Sequence, residues 1–127
     1  YYGYDDAVYV SLRLVEILSS SSLNLFELSQ LIPKYISTPE LRFECKTDEI
    51  KFGIIKNLKS YFKEKYDCST IDGIKIFIGQ GWGLLRASNT QPVIVCRVEG
   101  KTKEELSKIK SIILTKLLEF KGIKIEF

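Results

Sequence analysis

The stretch Ile74-Lys75-Ile76-Phe77-Ile78-Gly79-Gln80-Gly81-Trp82-Gly83-Leu84-Leu85-Arg86-Ala87-Ser88-Asn89-Thr90-Gln91-Pro92-Val93-Ile94-Val95-Cys96-Arg97-Val98-Glu99 decides the fold. Ile74, Ile76 and Ile78 alternate with Lys75 and Phe77, the period-two pattern of a strand with one face in a core. Gly79-Gln80-Gly81 reads as a tight turn. Residues 82–86 form the next strand and 93–99 the one after it. Strands that follow one another through short turns pair antiparallel.

Working outward, Leu41, Phe43 and Cys45 alternate with Arg42, Glu44 and Lys46, which adds an earlier half-buried strand. Thr47-Asp48-Glu49 supplies a helix cap followed by acids suited to the positive end of the helix dipole. The helix it opens carries Ile54, Ile55, Leu58, Tyr61 and Phe62 on one stripe and runs to about residue 65. Downstream, Thr102-x-x-Glu105 has the form of a capping box. The helix after it buries Leu106, Ile109, Ile113, Leu117 and Phe120, stops at Lys121-Gly122, and leaves residues 123–127 as a short last strand. The expected fold is therefore α+β: a four-stranded antiparallel sheet with two helices on one face.

Upstream the pattern changes. Tyr4-Asp5-Asp6 precedes a helix over residues 7–18, with Asp5 as the expected cap. Its apolar residues almost encircle it: Val8, Leu12 and Val15 on one side, Val10, Leu14 and Ile17 on another. A surface helix carries a narrower stripe, so this helix is expected to bury against protein upstream of Tyr1. Ser19 to Ser22 reads as a break, and a short helix over 25–31 ends before Pro33. The expected division is 1–33, one or two helices of a preceding domain with a linker, and 34–127, a separate domain. The chain has no Met and opens at Tyr1, which leads to the expectation that it is a piece of a longer protein.

Composition narrows the chemistry. A net charge of +3 without a concentrated basic run does not point to nucleic acid or a membrane surface. With no His in 127 residues, no imidazole base or ligand comes from this chain. Cys45, Cys68 and Cys96 are odd in number and far apart, against a zinc site or disulfide framework and in keeping with a reducing, cytoplasmic setting. Neither a His-based site nor a zinc site is expected within these residues.

The loop from Arg86 to Pro92 carries the remaining signal. Arg86 offers a planar fork that grips a phosphate through two parallel bonds. Ser88, Asn89 and Thr90 add uncharged donors, small Ala87 leaves backbone amides accessible, and no Asp or Glu stands in the loop to repel an anion. Ser, Asn and Thr also fill hairpin loops for turn reasons alone, so the residue types leave an anion site and a plain turn both open.

Arg86-Ala87-Ser88-Asn89-Thr90-Gln91-Pro92, preceded by Gly81-Trp82-Gly83-Leu84, resembles the phosphate-binding loop in the last domain of the α-D-phosphohexomutases. The Ser-Asn-Thr form is similar to the phosphomannomutase/phosphoglucomutase branch, whereas the amino-sugar mutases more often carry Ser-Gly-Thr. Tyr2-Gly3-Tyr4-Asp5-Asp6 and the helix after it resemble the end of the family's third domain. Leu31-Ile32-Pro33-Lys34-Tyr35 and Ser37-Thr38-Pro39-Glu40 resemble the crossing into the fourth, and Ile71-Asp72-Gly73-Ile74 the strand before the loop. The resemblance covers nearly the whole chain in the right order.

The resemblance implies a TATA-binding-protein-like last domain that holds the non-reacting phosphate of a mannose or glucose 1- or 6-phosphate. It implies Arg86 as the charge clamp and Ser88, Asn89 and Thr90 as neutral donors. A phosphoserine elsewhere in such an enzyme exchanges its phosphoryl group with the sugar through a glucose 1,6-bisphosphate-type intermediate, with Mg²⁺ bound outside these residues. The nucleophile loop, the Mg²⁺-binding acids and the sugar-reading loop of the family are all missing here, so this chain alone is expected to lack mutase activity. Upstream domains of the same chain are the expected partners, with dimerisation through the uncovered first helix. Two other readings stand beside this one: a phosphoglucosamine or phosphoacetylglucosamine mutase domain, and a stand-alone RNA- or protein-binding α+β module.

The remaining prominent residues have plainer readings. Trp82 is read as packing at the sheet edge rather than stacking on a sugar. Lys56, Lys59, Lys63 and Lys65 form a solvated helix face, and Lys101 and Lys103 are solvent-exposed. Gly79, Gly81 and Gly83 are assigned to a turn and bulge.

Overall fold

The computed structural model describes Gly3 and residues 5–126. Tyr2, Tyr4 and Phe127, which the sequence reading uses at the two ends, lie outside the described residues. The chain divides into two compact units, residues 1–34 and 35–127.

The first unit contains α1 (Ala7–Ser20) and α2 (Leu25–Gln30). Asp6, not the expected Asp5, caps α1: its carboxylate accepts from the Tyr9 N–H at 2.9 Å. The helix also runs through Ser19 and Ser20 into the expected serine break. Both hydroxyls donate to the Glu16 carbonyl, at 2.9 and 3.0 Å, so these serines satisfy the last turn instead of ending it. Asn24 and Glu27 close a reciprocal capping box on α2. No residue of α1 or α2 is buried, and Val8, Val10, Leu12, Val15 and Ile17 are all more than half exposed.

The second unit is an antiparallel sheet with two helices packed on one face. In chain order it runs β1 (Ile36–Ser37), β2 (Leu41–Cys45), α3 (Asp48–Lys63), β3 (Asp67–Ser69), β4 (Ile74–Ile78), β5 (Gly81–Ala87), β6 (Val93–Gly100), α4 (Lys103–Leu117) and β7 (Ile123–Glu126). The strands lie in the order β3-β4-β5-β6-β2-β7, with β1 paired to β6. The α+β class and the antiparallel sheet are those expected. The four expected strands are the centre of a sheet that short segments widen to seven.

Those additions have physical reasons. β1 and β2 both pair with β6 and are separated at Pro39, which has no N–H for the ladder. Thr38 fills the gap, donating its N–H to the Val98 carbonyl (2.9 Å) while its hydroxyl accepts from the Val98 N–H (3.2 Å). Pairing with β6 slips by one residue across this break. β3 has only Cys68 to bury, so it carries no apolar alternation, yet it pairs with β4 from Asp67↔Phe77 to Ser69↔Lys75.

Core residues alternate as the strands require. Phe43, Ile74, Ile76, Leu85, Ile94, Cys96 and Val98 meet Ile54, Ile55, Leu58 and Phe62 of α3 and Ile109, Ile113 and Leu117 of α4. Gly81 and Gly83 correct the expected turn-and-bulge assignment. Both lie within β5 on the helix side, where α4 passes so close that a Cβ at Gly83 would stand 2.0 Å from Ile113 Cδ1. Of these three glycines, Gly79 alone, at φ +62°, is a turn residue that needs the left-handed region. Trp82 alternates with these glycines and so points to the open face of a central strand, not to the sheet edge. There Lys75 Nζ sits 4.0 Å from its ring centroid, a cation–π arrangement.

Thr102 caps α4 as expected, accepting from the Glu105 N–H at 3.2 Å. Glu105 does not close the reciprocal half of the box. Its carboxylate accepts from the N–H groups of Lys101 (2.6 Å) and Gln80 (2.7 Å), tying the β4–β5 turn to the start of α4. Those two bonds lower its pKa from the ordinary glutamate value. Burial raises the Cys96 thiol to about 12 and pushes Cys45 and Cys68 upward as well. All three cysteines are free.

Candidate functional site

Arg86, next to last in β5, lies on the face away from the helices, opposite Val95 of β6, whose other neighbour is Arg42 of β2. Two guanidinium-bearing residues therefore flank one valine across three strands, about 10 Å apart at strand spacing. Gly73 lies against Arg86 from the other side. At φ +73°, with Leu85 O and Arg86 Cβ at 2.1 and 2.7 Å from where its own Cβ would be, it can only be glycine. This close approach seats Asp72 beside the arginine.

Arg86 Nη1 meets Asp72 Oδ2 at 3.2 Å, with the two side chains 47% and 67% exposed. The pair is at the surface, not folded into the interior. Exposed pairs of this kind contribute about 0–1 kcal/mol. The guanidinium thus remains available to a stronger anion.

The loop between β5 and β6 follows directly. Ser88 N–H donates to Val93 O (2.9 Å), Val93 N–H to Gln91 O (2.8 Å), and Thr90 N–H lies 3.4 Å from Ser88 Oγ. Asn89 and Thr90 are exposed and Ser88 half-buried. Among the described residues, the N–H groups of Asn89 and Gln91 donate to no protein acceptor. Arg86, Ser88, Asn89 and Thr90 therefore stand on one strand end and the loop that continues it.

Two residues missed by the sequence reading complete the surroundings. Arg42 donates to Glu40 Oε1 (2.9 Å) and to the side-chain oxygen of Gln91, bracing the exit of the loop. Lys51, in the first turn of α3, is 1% exposed. Its ammonium donates to Ser88 O (2.6 Å), Gln91 O (2.8 Å) and Asp48 Oδ1 (2.6 Å). A signal for it existed: Lys51 stands three and four residues before Ile54 and Ile55, on the buried stripe itself.

Among the described residues, no group of three or more His, Cys, Asp and Glu is arranged to hold a metal ion. The donor set here is cationic and neutral, suited to an oxyanion and not to Mg²⁺. No helix among them is long and apolar enough to cross a membrane.

Comparison with known proteins agrees with this architecture. Residues 40–116 match the family model described as phosphoglucomutase/phosphomannomutase, C-terminal domain. A phosphomannomutase/phosphoglucomutase of Pseudomonas putida is 43% identical over 119 residues, 93% of this chain and 26% of that protein. A phosphoglucosamine mutase of Methanocaldococcus jannaschii is 32% identical over 123 residues, 94% of this chain and 25% of that protein. Among solved structures, a phosphoglucomutase/phosphomannomutase family protein of Burkholderia thailandensis superposes with a TM-score of 0.80 at 32% identity. That match covers 100% of this chain and 27% of that one. This chain spans about a quarter of the length of these relatives. By its family match, its identity to these relatives and its fold, the chain belongs to the phosphoglucomutase/phosphomannomutase family, to which it contributes the C-terminal domain.

Proposed function

We propose that the loop from Arg86 to Thr90 holds the non-reacting phosphate of a hexose phosphate in a phosphomannomutase/phosphoglucomutase. The observation that carries this reading is a half-exposed guanidinium beside a loop with two unpartnered N–H groups, three side-chain donors and no acid. An isomerisation that passes through a bisphosphorylated sugar must accept the sugar in two orientations with one phosphate in one place. A clamp that reads phosphate and ignores the ring does this, and it sets the far end for in-line transfer.

The phosphoserine and the Mg²⁺ of such an enzyme belong to other domains, and no step of the transfer is assigned to residues of this chain. The chain alone is expected to turn over neither mannose 1-phosphate nor glucose 1-phosphate. Residues 1–33 are read as the last helices and linker of the preceding domain. The uncovered apolar residues of α1 support this reading. They also lead to self-association of the isolated chain, which sedimentation showing a monomer at every concentration would exclude. Free cysteines fit a reducing, cytoplasmic setting.

Calorimetric titration with glucose 1-phosphate tests the clamp. Losing a charge-assisted contact costs about 1.5–3 kcal/mol, so Arg86→Ala should weaken binding about tenfold or more. Asp72→Asn should tighten it, because the competing carboxylate is gone. Equal affinity in all three proteins would remove the proposal.

A further inference from the structure

We infer that Lys51 is a positioning residue for phosphate, holding the anion loop in its binding shape from beneath while adding a buried positive charge to it. This rests on the reading of residues 86–90 as the phosphate site. A lysine is almost never fully buried unless its charge is met. Lys51 is 1% exposed, and its ammonium spends all three donors on Ser88 O, Gln91 O and Asp48 Oδ1, at 2.6, 2.8 and 2.6 Å. Two of these acceptors are backbone carbonyls of the loop, one on each side of Asn89 and Thr90.

The geometry has a directional consequence. Residues 88–91 present both carbonyls and amides at their surface, and Lys51 engages two of the carbonyls. Lys51 draws the carbonyls of residues 88 and 91 toward α3, where they are neutralised and kept from an incoming anion. The N–H groups of Asn89 and Gln91 are the ones left without protein acceptors. The carbonyl at residue 91 is anchored twice, since it also accepts from Val93 N–H at 2.8 Å.

Charge points the same way. The carboxylate that offsets Lys51 is Asp48, in contact at 2.6 Å, and its side chain is 62% exposed, so its own charge is partly solvated by water. The ammonium, by contrast, is shielded from solvent on the loop side, where its field acts through protein. A dianion at the loop therefore meets Arg86 from the sheet and Lys51 from below.

The test uses the 127-residue chain, inorganic phosphate as the probe, and temperatures well below each variant's unfolding midpoint. Lys51→Met keeps the length and apolar stem but removes the ammonium. It should weaken phosphate binding about tenfold and speed hydrogen exchange of loop amides in the folded protein. A purely structural lysine would lower the midpoint without changing the affinity of the folded chain, and that result would overturn the inference. Should Lys51→Met fail to fold, Asp48→Asn serves instead: by uncovering the ammonium it should tighten phosphate about twofold or more, and unchanged or weaker binding counts against the inference. Arg86→Ala separates the two ideas. If it binds phosphate like the unmodified chain, the phosphate-loop reading fails; if only Lys51→Met does, the role of Lys51 fails alone.

Discussion

α1 and α3 are both helices rich in branched apolar residues, yet their fates are opposite. α3 places Ile54, Ile55, Leu58 and Phe62 on one stripe, and all four are buried against the sheet. α1 spreads Val8, Val10, Leu12, Leu14, Val15 and Ile17 around most of its circumference, and every one is exposed. A narrow stripe needs one partner surface, which the second unit supplies from its own strands. A wide one needs partners on several sides. The narrow stripe of α3 is matched by the strands it packs on, whereas the wide apolar surface of α1 is not covered among the described residues.

The sharpest way to break this contrast is truncation on each helix. Phe62 is wholly buried, and Phe62→Ala should cost about 3–5 kcal/mol. Leu12→Ala, on an exposed surface, should stay within about 0.5 kcal/mol. Urea denaturation of the sheet unit measures both. Comparable losses would mean that α1 is as integral to the fold as α3.

A smaller effect probes how closely α4 lies on the sheet. Gly83→Ala puts a methyl group into Ile113 Cδ1, and overpacking of this kind costs about 1–3 kcal/mol. Ile113→Val removes the atom in question and should recover part of the loss in the double mutant. Independent, additive effects would show that the helix has room to move.

The smallest expected effect is electrostatic. Glu105 has a pKa lowered chiefly by the Lys101 N–H and then by that of Gln80. A group with a depressed folded pKa stabilises fully above its unfolded value, about 4.3 for Glu, and loses that contribution as pH falls through the folded value. Acid should therefore loosen the 79–81 turn, seen as a lower hydrogen-exchange protection factor at Gln80, measured against its intrinsic rate at the same pH. In Glu105→Gln that acid dependence should be absent.

Much of the fold is legible in the sequence because its signals are local. Period-two alternation at residues 41–45 and 74–78, and the caps at Thr47 and Thr102, need no knowledge of distant residues. What stays hidden depends on partners far along the chain. Gly81 and Gly83 look like turn glycines until α4, some thirty residues later, is laid over them. β3 has no alternation of its own and exists because β4 offers an edge. β1, before Pro39, shows no strand pattern of its own, and Thr38 joins the ladder partly through its side chain, accepting from the Val98 N–H.

The site follows the same division. Arg86, Ser88, Asn89 and Thr90 are adjacent in sequence and were readable together. Asp72 could be placed only after β4 and β5 paired around Gly73. Lys51 is 37 and 40 positions from its two loop carbonyls. Its one local sign was a charged residue on a stripe otherwise apolar.

The most direct test of the account is to follow backbone amide resonances of the chain while inorganic phosphate is added. The account predicts selective, saturable shifts at Asn89, Thr90 and Gln91 together with the Arg86 guanidinium, all reporting one affinity. Shifts centred instead on the exposed lysines of α3, or no shift at the loop at concentrations that move other residues, would contradict it.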